Sequence, residues 1–408
     1  MPRRVAAALG LILGLALWVA PAAGAERVPQ PPRPDATAWM LVDADDEDVI
    51  SGHRPRAELP MASATKLMTA YLALRELDLD EVVTAAPYKP EPAESLMKLR
   101  RGEQVSVHDL LYGLLLASGN DAAVTLAVAA AGSEDAFVAQ MNRAAEGLGL
   151  SDTSYENPIG FDDPDQYTSA SDLVELTIDL RRDPAFRGIT DTPSIELTEG
   201  ERPRRIVNRN NLVRTVPWVD GVKTGFTAKA GYVLVGSGER KGVTLVSAVL
   251  GASSEAERDG ATLELLRYGF SLYRRETVLR DGERLGEVAI RDRDVTVPLA
   301  AAKGVRLTLR RDEDVEVRLA GVPAEIEGPI ERGQALGTAV VTVDGAVEAR
   351  VGVVATRSAE AASLIERIDA GLPGTRVGAW GLLILGAVAL ALVLAPLVIW
   401  LWRRRSLR

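Results

Sequence analysis

The sequence predicts an α/β body, then a small all-β domain, then one C-terminal membrane-spanning helix. Three observations carry that reading. Helix-like and strand-like patterns mix from about Thr37 to Tyr273. From about Glu276 the texture changes to short β-type runs, two of them alternating with period two. Residues 377–402 form a run of 26 residues without a formal charge, long enough to cross a bilayer with some tilt.

In chain order, residues 1–25 read as a signal peptide. Arg3 and Arg4 make a charged start, an apolar stretch follows from Val5, and Ala23-Gly24-Ala25 is a small-x-small cleavage site. Residues 26–36, with Pro29, Pro31, Pro32 and Pro34, read as an extended linker. The α/β body is expected over residues 37–275. Inside it, residues 67–77 are apolar on most faces and predict a buried helix. Residues 110–116 and 122–131 predict two more helices around a short break. Residues 232–235 and 243–250 predict strands joined through a Gly-Ser-Gly-Glu-Arg-Lys-Gly turn region at 236–242. Residues 263–270 predict a closing helix. The all-β domain is expected over residues 276–356, from runs at 288–290, 295–297, 305–309, 315–319, 340–343 and 351–354. A stalk at 357–376 leads into the apolar run. Trp380 near one end and Trp400 and Trp402 near the other suit interfacial anchors, and Arg403, Arg404 and Arg405 follow at once. The positive-inside bias puts the tail at 403–408 in the cytoplasm. The body is therefore expected outside the cell membrane, tethered by its C-terminal helix.

Composition narrows the chemistry. The chain has 408 residues, 47 Lys+Arg, 57 Asp+Glu, two His and no Cys. Without Cys there is no disulfide scaffold, thiol nucleophile or Cys-based zinc site. Two His make no metal cluster, and no metal or cofactor is expected. The net charge of -10 is unevenly spread: the two ends are basic and the body between them is acidic. An acidic body argues against nucleic-acid binding, which needs clustered Lys and Arg.

Three short motifs occur in one order. In Ser63-Ala64-Thr65-Lys66, residues three apart share a helix face, so Lys66 can lie beside the Ser63 hydroxyl. Burial among the apolar residues that follow would lower the lysine pKa toward that of a useful base. A helix start at Ser63 would place backbone N–H groups beside developing negative charge. Ser118-Gly119-Asn120 falls in the break between two apolar helices, where a hydroxyl and an amide can edge a cleft. Ser118 could relay a proton, and Asn120 could bind a substrate amide carbonyl. Alone, such a triplet is more often a capped turn. Lys223-Thr224-Gly225 brings positive potential, a hydroxyl and a residue allowing close backbone approach. A strand edge there could pair with an extended peptide. Each motif alone carries little weight: Ser95-Leu96-Met97-Lys98 also fits the first pattern, in charged surroundings without a buried helix. The ordered set, about 55 and 105 positions apart, is much more specific.

In these motifs the sequence resembles the low-molecular-mass penicillin-binding proteins that are serine-type D-alanyl-D-alanine carboxypeptidases. The likeness covers about residues 38–356 and extends to the stretches 60–70, 118–122, Asn157-Pro158-Ile159-Gly160, 219–232 and, in the β-rich part, 328–338. The resemblance implies a penicillin-recognising fold: an antiparallel sheet flanked by helices, a helical subdomain and a β-rich C-terminal domain. It implies Ser63 as acylated nucleophile, Lys66 as general base, and Ser118 and Asn120 as the second wall. Lys223, Thr224 and Gly225 would lie on the strand lining the cleft. The backbone N–H groups of Ser63 and Phe226 would form the oxyanion hole, with Arg209 and Arg258 near the substrate carboxylate. Peptidoglycan stem peptides and β-lactam antibiotics are the implied ligands. Two departures stand out. The middle motif has Gly119 where a related set has aspartate, and Gln166 stands where the family usually has His.

Three other readings use the same residues. A class A-like β-lactamase needs a further glutamate for deacylation, and Glu156 is the nearest acidic residue, directly before Asn157-Pro158. A peptidoglycan DD-endopeptidase would use identical machinery. A non-catalytic wall-binding scaffold would call for damaged motifs, and these are intact. His53, in a polar turn, and His108, near a helix start, read as structural.

Overall fold

A computed structural model of the chain describes residues 29–198, 201–371 and 379–405. The signal peptide read at 1–25, the first residues of the linker, the end of the stalk, the first two residues of the apolar run and the last three of the tail lie outside the described residues.

The body is organised on a five-stranded antiparallel sheet. Its order is Val49–His53, Ala38–Asp43, Val243–Ala252, Gly231–Arg240, Val219–Thr227. Successive side chains on a strand point to opposite faces, and along the three central strands both faces are largely dry. Met40 and Val42 join one core while Trp39 and Leu41 join the other. Val233 and Val235 are likewise separated from Leu234, and Val246 and Ala248 from Leu245 and Val249. That explains why these strands read as continuous apolar runs rather than as alternation. Helix Glu255–Ser271 covers one face, and Ala170–Arg181 packs on the other. Beyond the second helix lies a helical layer of Lys66–Glu76, Val107–Leu115, Asn120–Ala131 and Glu134–Leu148. Ser106 caps the second of these by accepting from the Asp109 N–H, and left-handed Gly132 ends the third.

One local expectation is corrected. The glycine-rich stretch at 236–242 is not all turn: strand runs through Arg240, and Lys241 and Gly242 alone reverse the chain. Both have positive φ, +58° and +80°, as a two-residue hairpin of this hand requires. Gly236 and Gly238 serve packing instead. A Cβ at Gly236 would come within 2.5 Å of Thr262 Cγ2 on the covering helix, and one at Gly238 within 2.5 Å of the Trp218 carbonyl. Lys223, Thr224 and Gly225 sit within the edge strand Val219–Thr227, paired to Val235, Leu234 and Val233, on a strand as the resemblance implies.

Strand Tyr273–Leu279 pairs with Val305–Arg310 and leads from one core to another: Tyr273 packs with the body, and Leu279 joins a separate core. The rest is a six-stranded sheet ordered Val315–Ala320, Ala335–Val343, Ala346–Ala355, Thr296–Ala301, Arg284–Ile290, Glu325–Ile326. Val288, Val297, Leu299, Val341, Val351 and Val353 fill its interior. Ala379–Arg405 is helical, and Gly386–Trp400 is its apolar stretch. Among the described residues, no single helix is long and apolar enough to cross a membrane.

Candidate active site

Ser63 sits on the 3-10 turn Ala62–Thr65, which runs directly into the buried helix beginning at Lys66. The turn opens with Ala62 at φ +47°, an unfavourable conformation for a residue with a Cβ. It is held by the Thr65 hydroxyl donating to the Ala62 carbonyl at 2.9 Å and by two close glycines. A Cβ at Gly225 would lie 3.1 Å from the Ser63 nitrogen. One at Gly160, whose φ is +95°, would run into the Ala62 carbonyl. The edge strand and the Asn157–Gly160 loop thus press on the serine turn from two sides, and only glycine permits it.

Lys66 is fully buried. Its Nζ donates to Asn120 Oδ1 at 2.7 Å and to the Ile159 carbonyl at 2.5 Å, and lies 3.2 Å from Ser63 Oγ. Burial pushes its pKa down; Glu94 pulls it up, Arg209 down and Asp121 up, leaving it at about 7. Asn120 is the first residue of helix Asn120–Ala131, and buried Ser118 stands before it at φ +62°.

Lys223 closes the opposite side. It is 1% exposed, and its Nζ donates to Ser118 Oγ at 3.0 Å and to the Thr224 carbonyl at 2.8 Å. Burial pushes this lysine well below its ordinary pKa, and Lys66, Arg209 and Arg258 push the same way. Thr224 is buried, while Phe226 is exposed with its ring 4.4 Å from that of Tyr232. Arg209 is exposed, its N–H bound to the Leu116 carbonyl at 3.0 Å. Asn208 and Asn210 flank it, with Asn210 Nδ2 donating to the Gly221 carbonyl at 2.9 Å. Arg258 differs: it is 4% exposed, pairs with Asp259 at 2.7 Å and Glu255 at 3.1 Å, and lies over the Tyr232 ring. Arg209 therefore presents its charge outward, whereas Arg258 is committed to carboxylates of its own helix. The three motifs converge on one pair of buried lysines, each beside a serine.

A family described as D-alanyl-D-alanine carboxypeptidase matches residues 25–254. The chain belongs to the D-alanyl-D-alanine carboxypeptidase family. Residues 273–361 match a second family, the penicillin-binding protein 5 C-terminal domain. The chain is 30% identical to the D-alanyl-D-alanine carboxypeptidase DacF of Bacillus subtilis, over 81% of this chain and 87% of the relative. It is 32% identical to DacA of Escherichia coli, over 78% and 82%. Among solved structures, penicillin binding protein 5 from Haemophilus influenzae is similar with TM-score 0.57 and 29% identity, covering 81% of this chain and 99% of that one. Penicillin binding protein 6B from Escherichia coli gives TM-score 0.59 and 29% identity, over 80% and 96%. This is a serine-type carboxypeptidase of the penicillin-binding class, with the α/β fold and β-rich C-terminal domain of that class.

The carboxypeptidase carries site residues that motif reading did not single out. Glu94 accepts from Asn120 Nδ2 at 2.7 Å and from the Tyr88 hydroxyl. It lies one position before Ser95-Leu96-Met97-Lys98, whose own Ser and Lys do not form a nucleophile pair on a helix. There Lys98 is exposed at φ +65°, and buried Met97 gives its N–H to Asp121 at 2.8 Å. Asp121 also accepts from the N–H groups of Leu99 and Ala122, which ties this segment to the cleft wall. No spacing signal marks Glu94, because it approaches the site from a loop.

Gln166 takes up the hydrogen bonding at the position where His is usual. It is 4% exposed. Its Oε1 accepts from the N–H groups of Glu156 and Asn157, both at 2.9 Å, and its Nε2 donates to the Phe161 carbonyl at 3.0 Å. It thus clamps both ends of the loop whose Ile159 carbonyl holds Lys66. Glu156 is exposed. His53 lies on an edge strand beside Trp39, and the ring of His108 packs edge-on against Tyr112 at 5.0 Å. Among the described residues, no group of His, Asp and Glu could hold a metal ion.

Proposed function

We propose that Ser63 is the nucleophile of this carboxypeptidase and Lys66 its general base, acting on the terminal D-alanyl-D-alanine of peptidoglycan stem peptides. The supporting observation is the setting of Lys66 Nζ. A neutral amine has two N–H donors and one lone pair, and a carbonyl oxygen can only accept. Asn120 Oδ1 and Ile159 O occupy two directions around the nitrogen, and the third leads to Ser63 Oγ. An amine with a pKa near 7 is neutral often enough to use that lone pair. Proton transfer by a group so placed contributes about 10²–10⁴-fold to rate.

Ser63 Oγ attacks the carbonyl carbon of the penultimate D-alanine while its proton passes to Lys66. The N–H groups of Ser63 and Phe226 receive the oxyanion. The C–N bond breaks, and the departing nitrogen takes the proton that Lys66 received, relayed by Ser118 beside Lys223. Water then cleaves the Ser63 ester and restores the hydroxyl. The substrate lies extended along the edge strand at Lys223, Thr224 and Gly225. Asn120 offers its second N–H to a peptide carbonyl, and Thr224 and Arg209 receive the terminal carboxylate. Arg258 contributes its charge from behind Tyr232. Penicillins acylate the same serine.

Fluorescent penicillin should label the full chain and leave Ser63→Ala unlabelled, and a stem pentapeptide should lose one D-alanine by mass spectrometry. Labelling that survives in Ser63→Ala would remove the nucleophile assignment.

The placement is proposed with it. A signal peptide at 1–25 exports the body at 37–275 and the β-rich domain at 276–356, and the apolar run at 377–402 anchors both to the cell membrane with the tail at 403–408 in the cytoplasm. The apolar stretch Gly386–Trp400 and the arginines after it support this. Release of the protein from membranes by alkaline carbonate, without detergent, would refute the anchor.

A further inference from the structure

Glu94 stands behind the cleft wall, and neither the three motifs nor the proposed mechanism uses it. Its geometry is specific. A carboxylate can only accept hydrogen bonds, so the group that Asn120 turns toward Glu94 must be its NH2. Asn120 Oδ1 must then face the other way, toward Lys66, where it accepts at 2.7 Å. Were the amide reversed, its NH2 would meet Lys66, and the lysine would have to give up its lone pair to that donor instead of to Ser63. Glu94 is itself held by the Tyr88 hydroxyl on the same oxygen and by the Glu91 N–H on the other.

We infer that Glu94 is a positioning residue of the acylation step: through Asn120 it locks Lys66 with its lone pair toward Ser63, and its charge sets the pH at which acylation begins. The inference rests on Lys66 being the base. Charged groups reach Lys66 from every side: Glu94 from the loop before the false motif, Asp121 from the helix beginning at Asn120, Arg209 from the Asn208–Asn210 segment and Lys223 from the edge strand. Asp121 is committed to three backbone N–H groups, so Glu94 is the anion in the hydrogen-bond path to the lysine. Burial pushes the Glu94 carboxyl up, but the bonds from Tyr88, Asn120 and Glu91 outweigh it and hold the group below its ordinary value. It is therefore an anion throughout the range in which Lys66 titrates.

The sign follows. A nearby anion favours the ammonium, so Glu94 holds the onset of acylation at higher pH than burial alone would set. Removing the charge should move the acid limb to lower pH by about half to two pH units, the order expected for two unit charges bridged by one amide in watery or protein-like surroundings.

The test measures the second-order rate of acylation by fluorescent penicillin against pH, on the full chain. Three variants are compared with the wild type, and melting temperatures are recorded alongside. Glu94→Gln removes the charge and should shift the acid limb downward. Glu94→Asp keeps the charge but is one methylene short of Asn120, so its limb should stay in place while the plateau falls. Glu94→Ala should show both effects. An acid limb of Glu94→Gln that superimposes on the wild type overturns the inference, as does a uniform loss of rate in all three variants without a pH shift. Lys66→Ala separates the two levels. If it acylates at the wild-type rate, the base assignment falls and this inference with it. If it is inert while the Glu94→Gln limb stays unmoved, only the role of Glu94 falls.

Discussion

Replacing Gln166 by alanine should weaken the body and slow acylation together, although Gln166 touches neither Ser63 nor Lys66. The side chain answers three backbone groups: the N–H of Glu156, the N–H of Asn157 and the carbonyl of Phe161. A buried polar group left without a partner costs about 1–3 kcal/mol. Glu156 and Phe161 are exposed enough for water to reach them, so the low end applies, about 3 kcal/mol in all. For a body of this size that lowers the melting temperature by roughly 6–12 °C. The chemistry suffers through Ile159, whose carbonyl holds Lys66 from the clamped loop. A displacement of about 1 Å at such a group can cost on the order of 100-fold in rate. Calorimetry and penicillin acylation near neutral pH read the two effects. Gln166→His, with one acceptor and one donor, should recover part of both. If Gln166→Ala melts and acylates like the wild type, the loop is held by something else and the clamp is wrong.

Further outcomes follow from the same geometry. Acylation should rise with pH through about 7, because below that value Lys66 carries a proton and cannot accept one from Ser63; a rate unchanged across that range would exclude it as the base. Gly160→Ala should add about 1–3 kcal/mol of backbone strain at its φ of +95° and press on the Ala62 carbonyl. Penicillin labelling should then fall even in folded protein; full labelling would show that the serine turn tolerates displacement. Asp121→Ala should free the N–H groups of Met97 and Leu99, which hydrogen exchange would detect as lost protection there. Unchanged protection at both amides would mean that the segment is held without Asp121.

Much of the fold could be read along the chain because both periodicities are local. The helices at Lys66–Glu76, Val107–Leu115 and Asn120–Ala131, and the short strands after Tyr273, stand where apolar patterning puts them. The pattern misled at 236–240, where Gly236 and Gly238, which look like part of a turn, are strand. Their small size answers Thr262 and Trp218, which lie elsewhere in the chain. The site divides the same way. Ser63 and Lys66 could be paired from sequence because three residues along a helix span one turn. Glu94 could not be recognised, since its neighbours in sequence carry no chemistry and its partners are Asn120 and, further along, Lys66.

The sequence by itself determined which side chains are available, the order of the three motifs and the absence of thiol and histidine-cluster chemistry. Tertiary structure alone decided what those side chains are chemically. Lys66 meets Asn120 and Ile159, 54 and 93 positions away, and Lys223 meets Ser118 across 105. Those contacts exist only because the sheet edge and the helical layer pack together and exclude water. In water a lysine keeps its proton; in that dry seam, with acceptors fixed on two sides, it can give up its charge and face a serine.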